Sequence, residues 1–245
     1  MLNTIKSFAN RVPFLPSTYR HIIDAYSAYF SKRKSNEAIF EDIFRRNSWQ
    51  GARSVSGIGS DLDQTRMILE ELPVLFKQLG VSTMLDIPCG DFYWMSTLRM
   101  DDIEYTGADI VKKLVQANRK YKRDNISFMH ADLITDNLPE VDLVLSRDCM
   151  VHFSFADINR ALKNICRSRS KYLLTTTFPD REHNIDIATG EWRVLNLEIA
   201  PFSLPSPLRV IVEGCTEGNG IFKDKCLALW RINDVEQCLS GARPQ

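Results

Sequence analysis

Residues 84–92 read MLDIPCGDF, and this stretch decides the fold. A short apolar run ends in an acidic residue and is then broken by a proline and a glycine, which is typical of a buried strand followed by a tight turn. Two more apolar runs follow: residues 103–108 lead into Asp109, and residues 126–129 lead to Asp132 shortly afterwards. Buried strands that each deliver an acidic residue at their carboxyl end predict an open α/β sheet whose ligand crosses the strand ends.

The rest of the chain continues the alternation of strands and helices. Residues 141–146 and 171–177 form two further apolar runs, and strand-like runs at residues 208–212 and 226–232 flank a glycine-rich turn, which predicts a hairpin. Alternation of this kind gives a parallel sheet with right-handed crossovers. Helices are predicted over residues 39–46, between Asp61 and Gly80, from near Phe92 with Trp94, Met95 and Leu98 facing inward, over residues 110–121, and from Ser154 to Cys166.

Length and composition fit one globular domain with a helical lead-in. The chain has 245 residues, of which 44% are hydrophobic and 25% are charged, so it can bury a substantial core. We divide it into an N-terminal helical extension at residues 1–47 and a domain at residues 48–240. Within the domain, residues 180–206 are polar, proline-rich and too long for a simple connection, and their aromatic and apolar content predicts an ordered, packed insertion.

The net charge and the cysteine pattern indicate which partners and which cellular compartment to expect. The formal net charge is +0, which gives no reason to expect a nucleic-acid partner. The six cysteines are scattered without a C-x-x-C pair or a zinc-like spacing, which favours a reducing compartment and cytoplasmic residence. No apolar run approaches the ~20 residues that span a bilayer. Residues 1–34 are basic. We interpret this segment as a helical lid, and a transit peptide or a weak membrane-surface contact is the alternative.

The turn after the first strand carries the first cofactor signal. Asp86-Ile87-Pro88-Cys89-Gly90 resembles the D-x-G-x-G motif of class I S-adenosylmethionine-dependent methyltransferases, with Pro88 in place of the first glycine. Asp109 lies 19 residues after Gly90, the distance expected of a carboxylate that binds ribose hydroxyls. A nicotinamide-binding protein is the nearest alternative on this fold class, but it needs G-x-G-x-x-G, which GDFY at residues 90–93 does not supply.

The resemblance implies a fold, a cofactor and a set of binding residues. The fold is an α/β, Rossmann-like, seven-stranded and mostly parallel sheet with a C-terminal antiparallel hairpin, preceded by the N-terminal helical extension. The cofactor is S-adenosyl-L-methionine. No metal is expected, because residues 175–177 read TTT where metal-dependent relatives place an Asp-Asn pair. The cofactor-binding residues that it implies are Asp86, Pro88, Gly90, Asp109, Ile110, Asp132, Leu133, Arg147, Ser60 and Thr65.

The acceptor pocket of such a fold lies beyond the fourth strand, where residues 146–153 read SRDCMVHF. Its ionisable side chains Arg147, Asp148 and His152 stand in a segment that is otherwise largely apolar. We assign His152 as the general base, because the ordinary pKa of histidine lies near neutrality. Asp148 orients the ring or contacts the acceptor, and Arg147 contacts the acceptor. A structural His–Asp pair that only fixes the loop is the alternative.

Residues 180–206 are expected to form the second wall of the acceptor pocket. Polar side chains interleaved with Trp192 suit a polyhydroxylated acceptor, since an aromatic face stacks on a sugar while polar groups bind its hydroxyls. The chain is also similar, over residues 36–233, to bacterial methyltransferases of surface-polysaccharide pathways, through NxW at 47–49, SGxGS at 56–60, DxPCGD at 86–91 and NLE at 196–198. The substrate-binding residues are then His183, Trp192, Arg193, Asn196 and Glu198.

These observations predict an enzyme of the EC 2.1.1 class that methylates an oxygen of a sugar, a glycan or another polar small molecule. N-methylation of a small molecule or a protein side chain is an alternative, and it would need a more acidic pocket to hold an ammonium group. A binding-only descendant that keeps the fold without turnover is a second alternative, for which Pro88 is the one departure from the motif.

Overall fold

A seven-stranded sheet lies at the centre of the molecule. The structure, a computed structural model, describes residues 34–241, so most of the predicted N-terminal extension, residues 1–33, lies outside the described residues. The strands are β1 (Thr83–Asp86), β2 (Glu104–Asp109), β3 (Ile126–His130), β4 (Leu143–Ser146), β5 (Tyr172–Thr177), β6 (Arg209–Val212) and β7 (Cys226–Arg231).

The order of the strands creates a crevice at their carboxyl ends. They lie in the order β3-β2-β1-β4-β5-β7-β6. The first five pair in parallel, whereas β7 pairs antiparallel with both β5 and β6, which confirms the predicted mostly parallel sheet with a C-terminal hairpin. The chain leaves β1 for β2 on one side and later returns to β4 on the other. A crevice therefore opens at the carboxyl end of β1, where open α/β sheets bind their ligands.

Helices cover both faces of the sheet. In the described part of the chain they are α1 (Asn36–Arg45), α2 (Leu62–Leu79), α3 (Lys112–Asn118), α4 (Phe155–Arg167) and α5 (Ile232–Leu239). Alternate residues of a strand point to opposite faces. Thus Leu143 and Leu145 pack in one core with α2, and Val144 packs in the other core with α4. The two cores fix the sheet between the helices.

The prediction of a helix from near Phe92 is wrong. The chain instead makes a single 3-10 turn at Met95–Thr97 before β2. Phe92 has a φ of 59°, in the left-handed region, and the hydroxyls of Ser96 and Thr97 each donate to a carbonyl three residues earlier at 2.7 Å. Such local bonds compete with the helical ladder. The side chains predicted to face inward are nonetheless buried: Trp94, Met95 and Leu98.

Residues 180–206 contain no helix or strand, yet they are packed, as predicted. Leu195 and Leu197 are fully buried. The indole N–H of Trp230 in β7 donates to the carbonyl oxygen of Pro205 at 2.6 Å, and the amide of Arg193 donates to the carbonyl oxygen of Val151 at 3.1 Å. The insertion is therefore part of the main core and lies against the segment that follows β4.

Two further features of the described residues concern possible membrane spans and the cysteine thiols. Within residues 34–241, no helix has the length and apolar content needed to cross a bilayer. The six cysteines are all free; Cys238 is half-buried and the other five are buried. A buried free thiol packs as a small hydrophobic group.

Candidate active site

A cavity lies at the carboxyl ends of β1 to β4, where the strand order places the crevice. Residues at or just beyond these four strand ends line it: Asp86, Asp109, Asp132 and Arg147. The cavity is also lined by Pro88, Gly90, Ile110, Leu133 and Ser60, so the structure brings together every residue predicted for the cofactor except Thr65. The predicted catalytic residues Asp148 and His152 line the same cavity.

The carboxylate of Asp109 is buried and accepts two backbone hydrogen bonds. Gly90 donates its amide to Oδ2 at 3.0 Å, and Val111 donates its amide to Oδ1 at 2.8 Å. Burial raises the pKa of Asp109 to about 6, although both amides act in the opposite direction. Each oxygen keeps a further lone pair, so the side chain has acceptor capacity that hydroxyl groups in the cavity would satisfy.

Asp86 is a second buried carboxylate at the end of the neighbouring strand. Its Oδ2 accepts a hydrogen bond from the hydroxyl of Tyr105 at 2.7 Å. Burial raises the pKa of Asp86 to about 7; the Tyr105 bond lowers it, and the charge of Asp109 raises it further. Two carboxylates with raised pKa values at one cavity are typical of a functional site.

Asp91 ties the segment before α2 to the turn after β1. Its carboxylate accepts from the hydroxyl of Ser54 at 3.0 Å and from the amide of Val55 at 2.9 Å, and its own amide donates to the hydroxyl of Ser56 at 3.3 Å. Gly90 has a φ of 55°, and a Cβ atom there would lie 2.1 Å from the Ser56 hydroxyl oxygen. The close approach of the two segments therefore requires a glycine at this position.

Aromatic residues from α1 and the turn after it cover one side of the cavity. Phe40, Phe44 and Trp49 line it. The ring of Phe40 lies 5.9 Å from that of Phe153, and the ring of Trp49 lies 5.1 Å from that of His152. Sequence reasoning missed this cover, because a helix that precedes the domain carries no signal of where it docks.

His152 is held by a backbone carbonyl and not by an acidic side chain. Its Nδ1 lies 2.8 Å from the carbonyl oxygen of Glu191. Because a carbonyl only accepts, Nδ1 carries the proton and Nε2 of the neutral ring is an acceptor. Burial lowers the pKa of His152, with smaller opposing effects from the Glu191 carbonyl and from Asp148. The expectation that Asp148 orients the ring is corrected: its short carboxylate contacts go to cations.

Asp148 and Arg147 belong to a buried group of charges. Lys225 donates to Oδ2 of Asp148 at 2.6 Å, and Arg147 lies 3.3 Å from the same oxygen. Arg147 also pairs with Glu213 through Nη2 at 2.7 Å. Although burial opposes the charge, Lys225 and Arg147 hold the pKa of Asp148 below its usual range. Nothing in the sequence indicated Lys225 or Glu213, which lie 77 and 66 residues from their partners.

The residues predicted for the substrate lie outside the cavity. The guanidinium of Arg193 donates to the carbonyl oxygens of Met150 and Phe153, both at 2.8 Å, and the side-chain amide of Asn196 donates to those of Pro179 and Arg181 at 3.1 and 2.9 Å. These two buried side chains therefore fix loops and are not available to a sugar, which corrects their predicted role. The other members of the set differ in exposure: His183 and Trp192 are exposed, and Glu198 is half-buried.

Thr65, predicted for the cofactor, has a structural place instead. Its side chain is fully buried, and its hydroxyl donates to the carbonyl oxygen of Asp61 at 3.1 Å inside the first turn of α2. Ser60, five residues earlier, lines the cavity in its place. The structure therefore places Ser60 at the cavity and Thr65 away from it, because the helix turns Thr65 toward the interior.

Comparison with known proteins finds a family match in the central part of the chain. Residues 84–170, which run from β1 to the turn before β5, match a family described as a methyltransferase domain. This range contains most of the strand-end residues of the cavity. No curated protein matches the chain significantly in sequence.

Two solved structures, of the human and the Synechocystis enzymes, show the same fold at low sequence identity. Human N-acetylserotonin methyltransferase in complex with S-adenosylmethionine has a TM-score of 0.54 and 15% identity, covering 81% of this chain and 60% of that chain. Magnesium protoporphyrin IX methyltransferase from Synechocystis PCC 6803, with bound S-adenosylhomocysteine, has a TM-score of 0.52 and 14% identity, covering 78% and 93%. The methyltransferase domain of bacterial CtHen1 has 16% identity and a TM-score of 0.42, covering 46% of this chain and 66% of that domain.

The chain spans less than two thirds of the length of two of these structures, the human enzyme and the bacterial domain. The fold and the matched family agree with each other and with the cavity. Residues 84–170 thus match a methyltransferase domain, and the chain shares its fold with two solved methyltransferases that hold S-adenosylmethionine or S-adenosylhomocysteine.

Proposed function

We propose that this chain transfers the methyl group of S-adenosylmethionine to an oxygen of a polar small molecule, with a sugar or a glycan as the acceptor class. One observation carries the proposal: His152, with Nδ1 fixed as the donor and Nε2 as the acceptor, lines the same cavity as the strand-end carboxylates. A base and a cofactor site in one cavity are what transfer to a hydroxyl group requires.

The residues at the strand ends fit the cofactor. Asp109 is a buried carboxylate with spare acceptor capacity, which two vicinal ribose hydroxyls would use. Asp132 and Leu133, just beyond β3, would hold the adenine, and the turn at Pro88 and Gly90 would approach the amino-acid end. The bound cofactor supplies an electrophilic methyl group.

The remaining cavity residues would handle the acceptor. His152 takes the proton of the acceptor hydroxyl at Nε2, and the Glu191 carbonyl keeps the ring in the tautomer that can do so. Asp148 has its Oδ2 engaged by Lys225, which leaves Oδ1 to accept a hydrogen bond from a second hydroxyl. Both contacts need an acceptor that bears hydroxyl groups. Trp192, which is 46% exposed and follows Glu191 in sequence, offers a ring face on which a sugar would stack.

The wider setting of the reaction is also a proposal. The free, mostly buried cysteines support a reducing compartment such as the cytoplasm. The similarity of the NxW, SGxGS and NLE segments supports a role in surface-polysaccharide chemistry. A glycan or nucleotide-sugar acceptor fits both.

The first test is calorimetric titration with S-adenosylmethionine and S-adenosylhomocysteine, with NADH as the control. We expect micromolar binding of both sulfur ligands and none of NADH. Asp109→Ala should weaken binding by about 10- to 100-fold, because a hydrogen bond to a charged group contributes about 1.5–3 kcal/mol. Wild-type protein that binds neither sulfur ligand would contradict the cofactor site.

The second test identifies the acceptor by transfer of a labelled methyl group to a panel of sugars, nucleotide sugars and amines. Labelling of a hydroxyl that is lost in His152→Gln supports the proposal. N-methylation is the rival, since the carboxylates of Asp86, Asp91 and Asp132 also line the cavity and would attract an ammonium group. Labelling of amines alone would establish that rival and overturn the assignment of a sugar.

A further inference from the structure

The connection between β6 and β7 begins and ends with a buried charged residue. Glu213 and Lys225 are 2% and 5% exposed, and the amide of Glu213 donates to the carbonyl oxygen of Lys225 at 3.1 Å, which extends the pairing of the two strands by one step. Neither Glu213 nor Lys225 lines the cavity. Both side chains nevertheless reach residues that do.

Glu213 holds the guanidinium of Arg147 with both oxygens. Nε of Arg147 lies 3.2 Å from Oε1, and Nη2 lies 2.7 Å from Oε2. This fork fixes the plane of the guanidinium as well as its position. On its other side Nη2 donates to the carbonyl oxygen of Gly59 at 2.8 Å, and the guanidinium lies 5.6 Å from the ring centre of Trp94.

The Gly59 contact links this pair to the wall of the cavity. Gly59 belongs to the 3-10 turn Ile58–Ser60, and Ser60 lines the cavity, as do Trp94 and Arg147 themselves. Three elements distant in sequence therefore meet on one guanidinium: the turn before α2, the segment after β1 and the end of β4. The orientation of that guanidinium depends on Glu213.

Stability alone is a weak reason for this arrangement. Replacing a buried ion pair by apolar side chains of similar volume is often neutral or stabilising, because taking both charges out of water is costly. The carboxylate of Glu213 also lies 3.4 Å from Nζ of Lys225, so two cations converge on one acid. The buried charges instead fix the orientation of the Arg147 guanidinium.

We propose that Glu213 is a positioning residue for the cofactor cavity, acting through Arg147 to hold the turn at residues 57–60 against the cavity. This inference rests on S-adenosylmethionine as the cofactor. It assigns Glu213 no contact with the ligand. Its effect on affinity therefore exists only while Arg147 is present.

The test is a double-mutant cycle read by calorimetric titration with S-adenosylhomocysteine. Glu213→Gln should weaken binding by at least about tenfold, and the protein should still fold, because Arg147 and Lys225 keep Asp148 as a counter-ion. Arg147→Met should weaken binding by at least as much. The double variant Arg147→Met/Glu213→Gln should bind no more weakly than Arg147→Met, since residues that act through one contact are not additive.

Two further variants separate positioning from stability. Arg147→Met/Glu213→Met replaces the buried pair by apolar side chains, so its Tm should stay near the wild-type value while its affinity stays low. Glu71→Gln is the matched control: it breaks the 2.6 Å ion pair with Arg209 on the outer strand β6, away from the cavity, and should leave affinity unchanged.

The outcomes are distinct from those of the cofactor test. Additive losses in the cycle, or binding by Glu213→Gln within twofold of wild type, would overturn the positioning role while the cofactor site stands. Wild-type protein that does not bind S-adenosylhomocysteine would remove the basis of both.

Discussion

Asp109 is the buried carboxylate through which we expect pH to affect cofactor binding. Burial raises its pKa to about 6, above the ordinary value near 3.9, so between these values the folded protein holds a proton that the unfolded chain has released. The contribution of this group to stability is therefore present at low pH and is lost as pH rises through about 6. Binding of ribose hydroxyls favours the charged form, so ligand affinity has the opposite dependence.

We expect S-adenosylhomocysteine to bind about tenfold more weakly at pH 5 than at pH 7, because a group with a pKa of about 6 is about one-tenth ionised at pH 5. Titration calorimetry across this range measures the change. Asp109→Asn should bind weakly with little pH dependence, whereas Asp86→Asn should retain the dependence. A flat profile in the wild type would show that the ionisation of Asp109 does not control binding.

The imidazole of His152 allows a prediction about catalysis. With the acceptor that the labelling panel identifies, His152→Gln should lower kcat by about 10²- to 10⁴-fold, the usual contribution of a positioned base. The affinity for S-adenosylhomocysteine should change little. Because burial lowers the pKa of His152, the acid limb of the wild-type rate profile should lie below the ordinary histidine value. Unchanged kcat in the variant would make the ring structural.

The position of a single residue at the cavity was predictable where its side chain carries the signal. The acidic residues Asp86 and Asp109 stand at the ends of apolar runs, and both line the cavity. The partner of His152 is a backbone carbonyl in a distant loop, and a carbonyl leaves no trace in the sequence. Arg193 was misjudged because a charged residue in a loop looks available until its donors are seen to cap the carbonyls of Met150 and Phe153.

At the scale of elements, the turn after β1 and the segment before α2 form one unit through Asp91. We expect Asp91→Ala to release residues 54–56, because three polar contacts to one carboxylate and its amide are lost or weakened. Amide hydrogen exchange in residues 54–60 should accelerate, and affinity for S-adenosylhomocysteine should fall by about tenfold or more. Asp101→Ala, on an exposed turn, is the control. Unaltered exchange in residues 54–60 would show that other contacts hold the segment.

The strands were easier to predict than the helices. The central parallel strands β1, β4 and β5 are buried along nearly their whole length, and such buried strands are marked in the sequence by compact apolar runs. The prediction of a helix near Phe92 was wrong, because inward-facing residues at Trp94, Met95 and Leu98 are compatible with both a helix and a 3-10 turn. The apolar pattern predicts which side chains face inward, whereas the hydrogen bonds of the Ser96 and Thr97 hydroxyls favour the local backbone conformation seen here.

For the whole molecule, the insertion at residues 180–206 behaves as part of the core and not as an appended loop. Leu195 is fully buried among residues of the main core. Leu195→Ala should therefore lower the free energy of unfolding by about 2–5 kcal/mol in urea denaturation. Ile185→Ala, at a side chain that is 71% exposed, should change it by less than about 0.5 kcal/mol. Equal, small effects would place the insertion outside the cooperative unit.

The overall architecture followed from the sequence because the alternation of elements and the glycine-rich turn restrict the topology to few choices. The assembly of the site did not follow, since it depends on contacts between distant segments. The hairpin at β6 and β7 was predicted, but its connection to Arg147 through Glu213 spans 66 residues and has no local pattern. Local sequence patterns predict the strands and helices, whereas the site is built from contacts between segments that are far apart in the chain.

The buried thiols give the molecule a built-in reporter of its own opening. Burial raises the pKa of the Cys89, Cys149, Cys166, Cys215 and Cys226 thiols, and only a thiolate reacts readily with an alkylating reagent. The native protein is thus slow to alkylate at these five positions. A globally unfolded chain exposes all five, so the rate of alkylation at these positions reports how often the molecule unfolds.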